Sequence, residues 1–407
     1  MRRADPADPG TKPDGREAFE RHMLRYSAVL QAHTARPERN AMSLTRLLRE
    51  CFLVASVVAS VGVMSPRGTV AASELYRVYV SNERSGDVTV ISGSDFSVLA
   101  TIPVGKRPRG IHASPDGKRV FVALSGTPVG EPPKLDAQGN PIFKRPAADD
   151  DDAENAKSDK SADGIGIIDV AAGKLTSKIP VGSDPEEFAL SKDGTRIYVS
   201  NEDVKTASVV NVATGRVERI LPVGQEPEGV ATTPDGKRFF VTCEAGGDIY
   251  VFETEHYTEV GHFKVAVRPR TVAFLPHGDI GFIPSETAGL LNVIDTADPK
   301  VLNVITLPRG SRPMGVKVAP DSLKVYVSDG RAGTISVLDA HSYALLGNIQ
   351  VGQRPWGIML SPDGRYLFSA NGPSNDVSVV DLASGKEIRR VKAGQSPWGL
   401  TVLAGRR

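Results

Sequence analysis

Short runs of alternating apolar and polar residues, separated by turn residues, fill most of the chain. The clearest stretch, residues 195–236, holds the runs "RIYVS", "ASVVNV" and "VERILPV", and a fourth, "GVATT", follows a proline. Alternation of this kind, bounded by Gly, Asn, Asp and Pro, is typical of antiparallel strands. Tails such as "SPDG" and "TPDG" indicate tight turns, because Pro presets φ and Asp and Gly tolerate the bend.

The same unit recurs along the chain with a proline at a fixed point. The spacings between these prolines are 77, 42, 42, 44, 42 and 42 residues. The seven motif prolines are Pro108, Pro185, Pro227, Pro269, Pro313, Pro355 and Pro397. Four strands in a unit of about 42 residues are typical of a β-propeller blade. The sequence therefore predicts an all-β, seven-bladed β-propeller of four-stranded antiparallel blades.

The two ends of the repeat region predict how the ring closes. The first copy starts in mid-unit, at residues 76–82, and the last copy ends just after residues 397–402. We expect the C-terminal run to supply the innermost strand of a blade whose other three strands come from the N-terminus. Such pairing leaves no exposed sheet edge. The propeller is predicted over residues 73–402, with a tail at 403–407.

The N-terminal segment has a different character. Residues 42–72 combine a basic start after Met42, an apolar run of 14 residues ending at Met64, and small residues before Ala72. That run is shorter than the ~20 residues that span a bilayer, so we predict a cleaved secretory signal, a periplasmic protein and no membrane span in the mature chain. Residues 1–41 are interpreted as a non-native or disordered extension; the alternative is a cytoplasmic tail on a signal anchor.

Charge and cysteine content narrow the range of functions. Residues 73–407 carry 38 basic and 41 acidic side chains, a net charge of about −3. This balance gives no electrostatic case for binding nucleic acid or an anionic membrane surface. Cys243 is the only cysteine in this part of the chain, so no disulfide can form within it, and we interpret Cys243 as a small buried hydrophobic residue.

The residue after each motif proline defines a first ring of candidate site residues. Loops before the innermost strands open on one face of a propeller and converge on its axis, at the mouth of a central funnel. Five of the seven copies place Gly next, which lets backbones crowd near the axis. The candidate ligand-binding residues directly after or directly before the motif prolines are Trp356, Trp398, Arg109, Arg354, Arg270, Arg312, Glu186 and Glu228.

Trp356 and Trp398 are the only two tryptophans of the chain and fall in neighbouring blades. Two indoles beside Arg109 and Arg354 would suit a flat, anionic, conjugated ligand, because stacking, cation–π contacts and bidentate carboxylate pairing act together. The alternative is that both indoles plug the funnel by packing alone.

A second ring is expected from the loops that join the second and third strands. It contains four glutamates at one aligned position: Glu83, Glu202, Glu244 and Glu286. The alternative to a role in ligand binding is that they cap backbone N–H groups or pair with neighbouring arginines. A metal site needs three or more oxygens within reach of one ion, and we expect seven blades to hold these acids too far apart, so no metal is predicted.

The copy with the long spacing carries an insert at residues 126–163. It joins the second and third strands of its blade and so emerges on the face of the two rings. Its second half contains an acidic run and no apolar residue larger than Ala, which predicts disorder. Long loops in compact folds are usually lids or linkers. Two alternatives stay open here: a lid over the funnel, or a solvated loop without a role.

The catalytic signatures of common enzyme classes are absent. The chain has no CxxCH for covalent haem, and no GxSxG, HExxH, P-loop or zinc spacing. Its histidines are scattered. His112 and Lys317 occupy the same aligned position on two innermost strands and either line the channel or are satisfied buried groups. No catalytic residue is assigned.

The repeats that include "VYVSNERSGDVTVI" and "IPVGKRPRGIHASPDGKRVFVA" resemble the YVTN-type β-propeller repeat over residues 76–402. The opening repeat, the insert and the blade order most resemble exported β-propellers associated with pyrroloquinoline quinone (PQQ)-dependent alcohol catabolism. This resemblance implies an accessory role beside a periplasmic quinoprotein dehydrogenase or its cytochrome c, with PQQ as a candidate ligand. It transfers no catalytic residue. Quinoprotein dehydrogenases themselves have eight blades and commonly a vicinal disulfide, which Cys243 alone cannot form.

Three functional hypotheses follow. The first is a monomeric, non-enzymatic binding or scaffold protein that serves PQQ-linked alcohol oxidation through a small anionic ligand or a partner protein. The second is an enzyme resembling the propeller lactonases, which would use the funnel carboxylates Glu83, Glu202, Glu244 and Glu286. The third is a pure protein–protein interaction module with the insert as its contact.

Overall fold

The computed structural model describes residues 76–129, 134–135, 141–142 and 158–405. Within these residues the chain forms seven four-stranded antiparallel sheets and one two-stranded sheet. The predicted seven-bladed propeller is thereby confirmed. The predicted extension (1–41), the secretory signal (42–72) and most of the insert lie outside the described residues. Blades are numbered 1 to 7 in the order of their motif prolines, from Pro108 to Pro397.

Each blade runs from the axis outward in strand order, with short turns between strands. The innermost strands of blades 1 to 7 are Pro108–Ala113, Pro185–Leu190, Pro227–Thr232, Ala273–Phe274, Pro313–Val318, Pro355–Leu360 and Pro397–Ala404. The second strands are Arg119–Leu124, Arg196–Asn201, Arg238–Cys243, Ile280–Ser285, Lys324–Asp329, Tyr366–Asn371 and Tyr76–Asn82.

The outer half of each blade contains the third and fourth strands. The third strands are Gly164–Asp169, Thr206–Asn211, Asp248–Glu253, Leu290–Asp295, Thr334–Asp339, Asp376–Asp381 and Asp87–Ser92. The outermost strands are Lys174–Ile179, Arg216–Pro222, Glu259–Lys264, Lys300–Thr306, Leu345–Gln350, Lys386–Lys392 and Val98–Pro103. Two further elements are the insert hairpin Lys134–Leu135 with Pro141–Ile142 and a 3₁₀ turn at Glu202–Val204.

Blade 7 closes the ring as predicted. Tyr76–Asn82 pairs antiparallel with Pro397–Ala404, in a register that sets Tyr79 opposite Thr401. The last strand reaches Ala404, so the predicted end of the propeller at 402 is two residues too early. The ring thus closes through hydrogen bonds between the N-terminal and C-terminal parts of the chain.

Blade 4 departs from the repeat at its innermost strand. Only Ala273–Phe274 pairs regularly there, and Pro269 makes an isolated bridge to Ser285. The intervening backbone at Arg270 donates its N–H to the carbonyl of Pro284 (3.0 Å). This irregular segment carries Arg270, whose side chain pairs with three acidic residues.

The core consists of apolar clusters, and adjoining blades contribute to them together. Tyr198 of blade 2 stacks on Phe239 of blade 3 with ring centroids 4.2 Å apart, and both side chains are buried. Cys243 lies in the same cluster, fully buried, and burial raises the pKa of its thiol to about 12. Its interpretation as a buried hydrophobic residue is confirmed. Among the described residues, no helix has both the length and the apolar character needed to cross a bilayer.

Candidate functional site: the central funnel

The first ring is shaped by an unusual backbone conformation that the sequence did not reveal. All seven residues that precede the motif prolines have φ between 44° and 58°, in the left-handed region: Arg107, Asp184, Glu226, Arg268, Arg312, Arg354 and Ser396. Non-glycine residues rarely adopt this conformation, which costs free energy and tends to cluster at functional sites. None of the seven is Gly, although Gly would relieve the strain, so six charged side chains and one serine are held at the funnel mouth.

Several residues that follow motif prolines are held by hydroxyl groups of the neighbouring blade. Ser200 and Thr242 donate their hydroxyl hydrogen bonds to the carbonyls of Glu228 and Arg270, both at 2.6 Å. A Cβ added at Gly229 would lie 2.2 Å from the Arg270 carbonyl oxygen. The predicted crowding at these glycines is confirmed. In four of the seven blades a second-strand hydroxyl bonds a first-ring carbonyl of the next blade: Ser81, Ser200, Thr242 and Ser328.

Both rings line one cavity of about 530 Å³ at the funnel mouth. Its charged lining comprises Glu83, Arg84, Arg107, Arg109, Glu186, Glu202, Glu228, Glu244, Arg268, Arg270 and Arg354. Trp356, Trp398 and Gly372 form part of the wall, and Val129 at the start of the insert reaches it as well. We call this cavity the funnel.

Arg270 lies at the centre of a buried ion cluster on one side of the funnel. Its side chain is 5 % exposed and contacts the carboxylates of Glu228 (Nη1 to Oε2, 2.8 Å), Glu244 and Glu286. Arg268 adds a second contact to Glu244 (2.6 Å), and Arg312 adds one to Glu286 (2.6 Å). The guanidinium therefore replaces water as the partner of three acids.

The acids of this cluster have pKa values that are shifted in opposite directions. Burial favours the protonated form of Glu286, but Arg270, Arg268 and Arg312 outweigh it and lower its pKa to about 2. The pKa of Glu228 also lies below its ordinary value, because Arg270 outweighs burial. Glu244 behaves oppositely: burial, assisted by the charge on Glu228, raises its pKa well above its ordinary value. The pKa values of Glu228 and Glu244, which contact the same guanidinium nitrogen, are therefore shifted in opposite directions.

A second ion cluster surrounds Arg109 on the opposite side of the ring. Arg109 is buried and pairs with Asp184 (Nη2 to Oδ1, 2.5 Å) and with Glu186. Arg107 joins it by bonding both Asp184 (3.3 Å) and Glu83 (3.1 Å). Asp184 and Glu83 outweigh burial and hold the pKa of Arg107 above its ordinary value.

Glu202 stands apart from the other funnel acids. Its nearest cation is Arg109, whose Nη2 lies 3.9 Å from Oε2, and 29 % of its side chain is exposed. The other ring acids are held by closer arginine contacts. Partial burial in the funnel wall, reinforced by Asp184 and Glu228, raises the pKa of Glu202 to about 8 in spite of Arg109.

The two tryptophans form the floor of the funnel. Their ring centroids are 5.6 Å apart with 30° between the planes. Trp398 is only 7 % exposed, whereas Trp356 is partly exposed and carries the guanidinium of Arg354 over its face at 4.7 Å. Burial lowers the pKa of Arg354 to about 10, and the neighbouring cations Arg270 and Arg312 act in the same direction. The indoles therefore narrow the channel and also present surface to the cavity.

Most of the predicted site residues meet at the funnel. The ten that line it are Trp356, Trp398, Arg109, Arg270, Arg354, Glu186, Glu228, Glu83, Glu202 and Glu244. Arg312 and Glu286 are paired with each other and are not part of its lining. The alternative reading of the glutamate ring, pairing with arginines, holds for Glu83, Glu244 and Glu286.

Three further residues of the ion clusters were not among the predicted site residues. Arg107, Asp184 and Arg268 precede motif prolines and supply essential contacts of both ion clusters. All three share the left-handed backbone conformation described above. The available signal was that a charged residue preceded six of the seven prolines.

Three carboxylates lie closer together than the sequence suggested. Oxygens of Asp184, Glu186 and Glu202 all lie within 4.8 Å of one another. Only Glu202 among them belongs to the four ring glutamates that were expected to stand too far apart to share an ion. Arg109 already contacts the first two. Its guanidinium supplies the positive charge that a cation would supply, so the residues present do not fit a metal without displacing Arg109.

Two family models match adjoining parts of the chain. The choice-of-anchor I domain matches residues 40–224, and "Lactonase, 7-bladed beta-propeller" matches residues 222–397. Each covers less than half of the chain. No curated protein gives a significant match.

Solved structures share the fold at low identity. The periplasmic gluconolactonase of Pseudomonas aeruginosa is 19% identical, with a TM-score of 0.61 over 81% of this chain and 99% of that chain. A putative 6-phosphogluconolactonase of Bacteroides fragilis is 18% identical, with a TM-score of 0.63 over 82% and 99%. Hydrazine synthase of Kuenenia stuttgartiensis is 17% identical, with a TM-score of 0.61 over 79% and 99%.

At these identities the structural likeness shows the fold alone. The narrower resemblance to PQQ-associated propellers stays a prediction, since none of these comparisons bears on it. The chain is a seven-bladed β-propeller with similarity to lactonase-type and choice-of-anchor propellers.

Proposed function

We propose that the funnel hydrolyses sugar-derived lactones, the lactonase-like alternative among the hypotheses drawn from the sequence. The match to a lactonase model over residues 222–397 supports this choice, as does the shared fold of solved structures described as a gluconolactonase and a putative 6-phosphogluconolactonase. The funnel adds a cavity of about 530 Å³ with many charged groups and an aromatic floor. A cavity of this size accommodates a small ligand.

The observation that carries the proposal is that Glu202 combines a partly exposed carboxyl group, no close ion pair and a raised pKa. It is the ring glutamate with substantial exposure and no ion pair closer than 3.9 Å. Its pKa, raised to about 8, lies near neutral pH, where a general base is most effective. The remaining funnel acids are committed to arginines and would have to break ion pairs before they could accept a proton.

The chemistry needs one water and one base. Glu202 accepts a proton from water as the water oxygen attacks the lactone carbonyl carbon. Negative charge then develops on the carbonyl oxygen, and the guanidinium of Arg107, which lines the same cavity, stabilises it. The ring C–O bond breaks, and the ring oxygen takes the proton back to become a hydroxyl. The product is the open hydroxy acid.

Turnover of glucono-1,5-lactone and of 6-phosphogluconolactone by the full chain tests this proposal. The rate is measured as acid release above spontaneous hydrolysis. Loss of one general base lowers rates by a factor of 10²–10⁴, so Glu202→Gln should lower the rate at least ~100-fold. Glu255→Gln, in an exposed turn far from the funnel, is the matched control and should keep full activity. Equal turnover by E202Q and the wild type would remove Glu202 from the mechanism.

A second candidate function is favoured by the stacked indoles beneath Arg354. A flat anion such as PQQ would pair with the guanidinium groups of Arg354 and Arg270, which lie over the Trp356 ring. The protein would then act without turnover, as an exported accessory to a periplasmic quinoprotein dehydrogenase or cytochrome c, consistent with the predicted signal at 42–72.

Tryptophan emission distinguishes this second candidate, because the chain contains only Trp356 and Trp398. Titration with PQQ should quench the emission to saturation in the wild type and in the exposed-site control Arg216→Met. The quenching should weaken in Arg354→Met. If PQQ leaves the emission spectrum of all three proteins unchanged, PQQ is not the ligand.

A further inference from the structure

A second, smaller cavity lies on the axis next to the funnel floor. It has a volume of about 60 Å³, and Trp356, Trp398, Arg270 and Glu228 border both cavities. Its other lining residues come from later positions on the innermost strands, so it lies deeper along the channel. We call it the axial chamber and define it by His112, Glu187, Thr271, Lys317, Ile358 and Met359.

The axial chamber holds a cation without an ion-pair partner among the described residues. Lys317 lies on the innermost strand of blade 5, and its only electrostatic partner is Glu187, which is not within ion-pair distance. Burial lowers the pKa of its amine in spite of Glu187. The Glu187 carboxylate is itself engaged: its Oε1 bonds His112 Nε2 (2.8 Å) and accepts the N–H of Phe188 (2.9 Å).

The same chamber contains an unsatisfied hydroxyl. Thr271 Oγ1 is buried and lacks a hydrogen-bond partner among the described residues. Thr271 belongs to the irregular segment of blade 4, beside the blade that carries Lys317. A buried hydroxyl without a partner costs free energy, so such groups usually mark a bound water or ligand. Two unsatisfied groups, one ammonium and one hydroxyl, thus line the same small cavity.

The remaining walls define the size and polarity of the occupant. Ile358, Met359, Met314 and Leu400 are apolar and face the same space. A volume of about 60 Å³ exceeds the ~30 Å³ that one water molecule occupies in the liquid. The occupant should therefore be a few heavy atoms in size, with a negative end and a short apolar end.

We propose that the axial chamber binds a short-chain monocarboxylate of the acetate class. The carboxylate receives charge-assisted hydrogen bonds from Lys317 and the hydroxyl of Thr271. The alkyl end packs against Ile358 and Met359. This site is separate from the lactone site of the funnel, and neither proposal depends on the other.

Acetate and acetamide make a matched pair of probes, because they share size and shape and differ in charge. Trp356 and Trp398 border the chamber, so their emission reports binding. Acetate should give a saturable change in emission of the full chain at constant ionic strength, and acetamide should give none. Lys317→Met should weaken the acetate response at least ~10-fold, as expected for removal of a charged hydrogen-bond donor. Lys386→Met, on an exposed outermost strand, is the control and should respond like the wild type.

Two results would overturn the proposal. One is a wild-type emission that does not respond to acetate. The other is an equal acetate response in wild type and in folded K317M, which would place the anion in the funnel instead. If K317M does not fold, Thr271→Val decides the question: it keeps the side-chain shape, removes the unpaired hydroxyl and should weaken the acetate response several-fold. An unchanged response in T271V would then reject the site.

Discussion

At the scale of single residues, the funnel depends most on Arg270. Its guanidinium neutralises three carboxylates in a site where water is excluded. Removing one partner from a buried ion cluster costs about 3–5 kcal/mol, because uncompensated charge stays behind. Arg270→Met should therefore lower the free energy of unfolding by several kcal/mol in denaturant titrations. Arg216→Met, at an exposed position of an outermost strand, should leave it almost unchanged.

The raised pKa of Glu202 predicts that the stability of the protein falls as the pH rises. Its pKa rises from the ordinary 4.5 to about 8 on folding, so the native state holds a proton that the unfolded state has released in this range. The contribution of this proton to the free energy of unfolding is fully present below about pH 4.5. It is lost as the pH rises through about 8. Gln cannot ionise. The melting temperature of Glu202→Gln relative to wild type should therefore rise between about pH 5 and about pH 9. A difference that stays constant with pH would mean that Glu202 titrates normally.

The sequence located the acids and arginines of the funnel but not their pairing. Aligned repeats place Glu83, Glu202, Glu244 and Glu286 on one ring, because a period reports position within a blade. Which arginine meets which glutamate depends on side-chain reach between blades. It also depends on the left-handed turn at residues such as Arg268, which no residue preference predicts. The distinctive state of Glu202 follows from that pairing and could be seen only in the structure.

At the scale of the strand, hydroxyls of second strands hold the first ring in place. Ser328 accepts the N–H of Gly315 (2.8 Å) and donates to the carbonyl of Trp356 in the next blade (2.6 Å). Ser328→Ala leaves two buried backbone groups unpaired, at a cost of about 1–3 kcal/mol. The loss should appear in denaturant titrations, together with a shift of tryptophan emission. Ser384→Ala, in an exposed turn, is the control. A stable S328A with unchanged emission would show that the blades hold Trp356 by packing alone.

The regular elements were predictable because the repeat enforces them. Alternating apolar residues and turn signals gave four strands per blade, and the structure has them. The exceptions are local: the innermost strand of blade 4 shrinks to Ala273–Phe274, and the last strand extends to Ala404. The first exception lies next to Arg270, whose backbone N–H still bonds the carbonyl of Pro284 (3.0 Å) outside regular strand pairing. Repeat alignment alone could not anticipate such an exception.

At the scale of the whole molecule, stability depends on closure of the ring. Residues 397–404 supply the innermost strand of blade 7 and the side chain of Trp398. A chain that ends at residue 396 leaves the edge of Tyr76–Asn82 unpaired. It should lose the single cooperative transition in thermal unfolding followed by circular dichroism. A chain that ends at Gly405 keeps the whole strand and should unfold like the wild type. Cooperative unfolding of the shorter chain would show that blade 7 contributes little to closure.

The pH profile of lactone hydrolysis tests the central claim most directly. The quantity to measure is kcat/KM for glucono-1,5-lactone, corrected for spontaneous hydrolysis. We predict that it rises with pH through an apparent pKa of about 8, the pKa that burial gives Glu202, and then levels off. The rise should vanish in Glu202→Gln and persist in Glu255→Gln. Hydrolysis no faster than the spontaneous reaction, or a profile that E202Q leaves unchanged, would contradict the assignment of the funnel as a hydrolytic site.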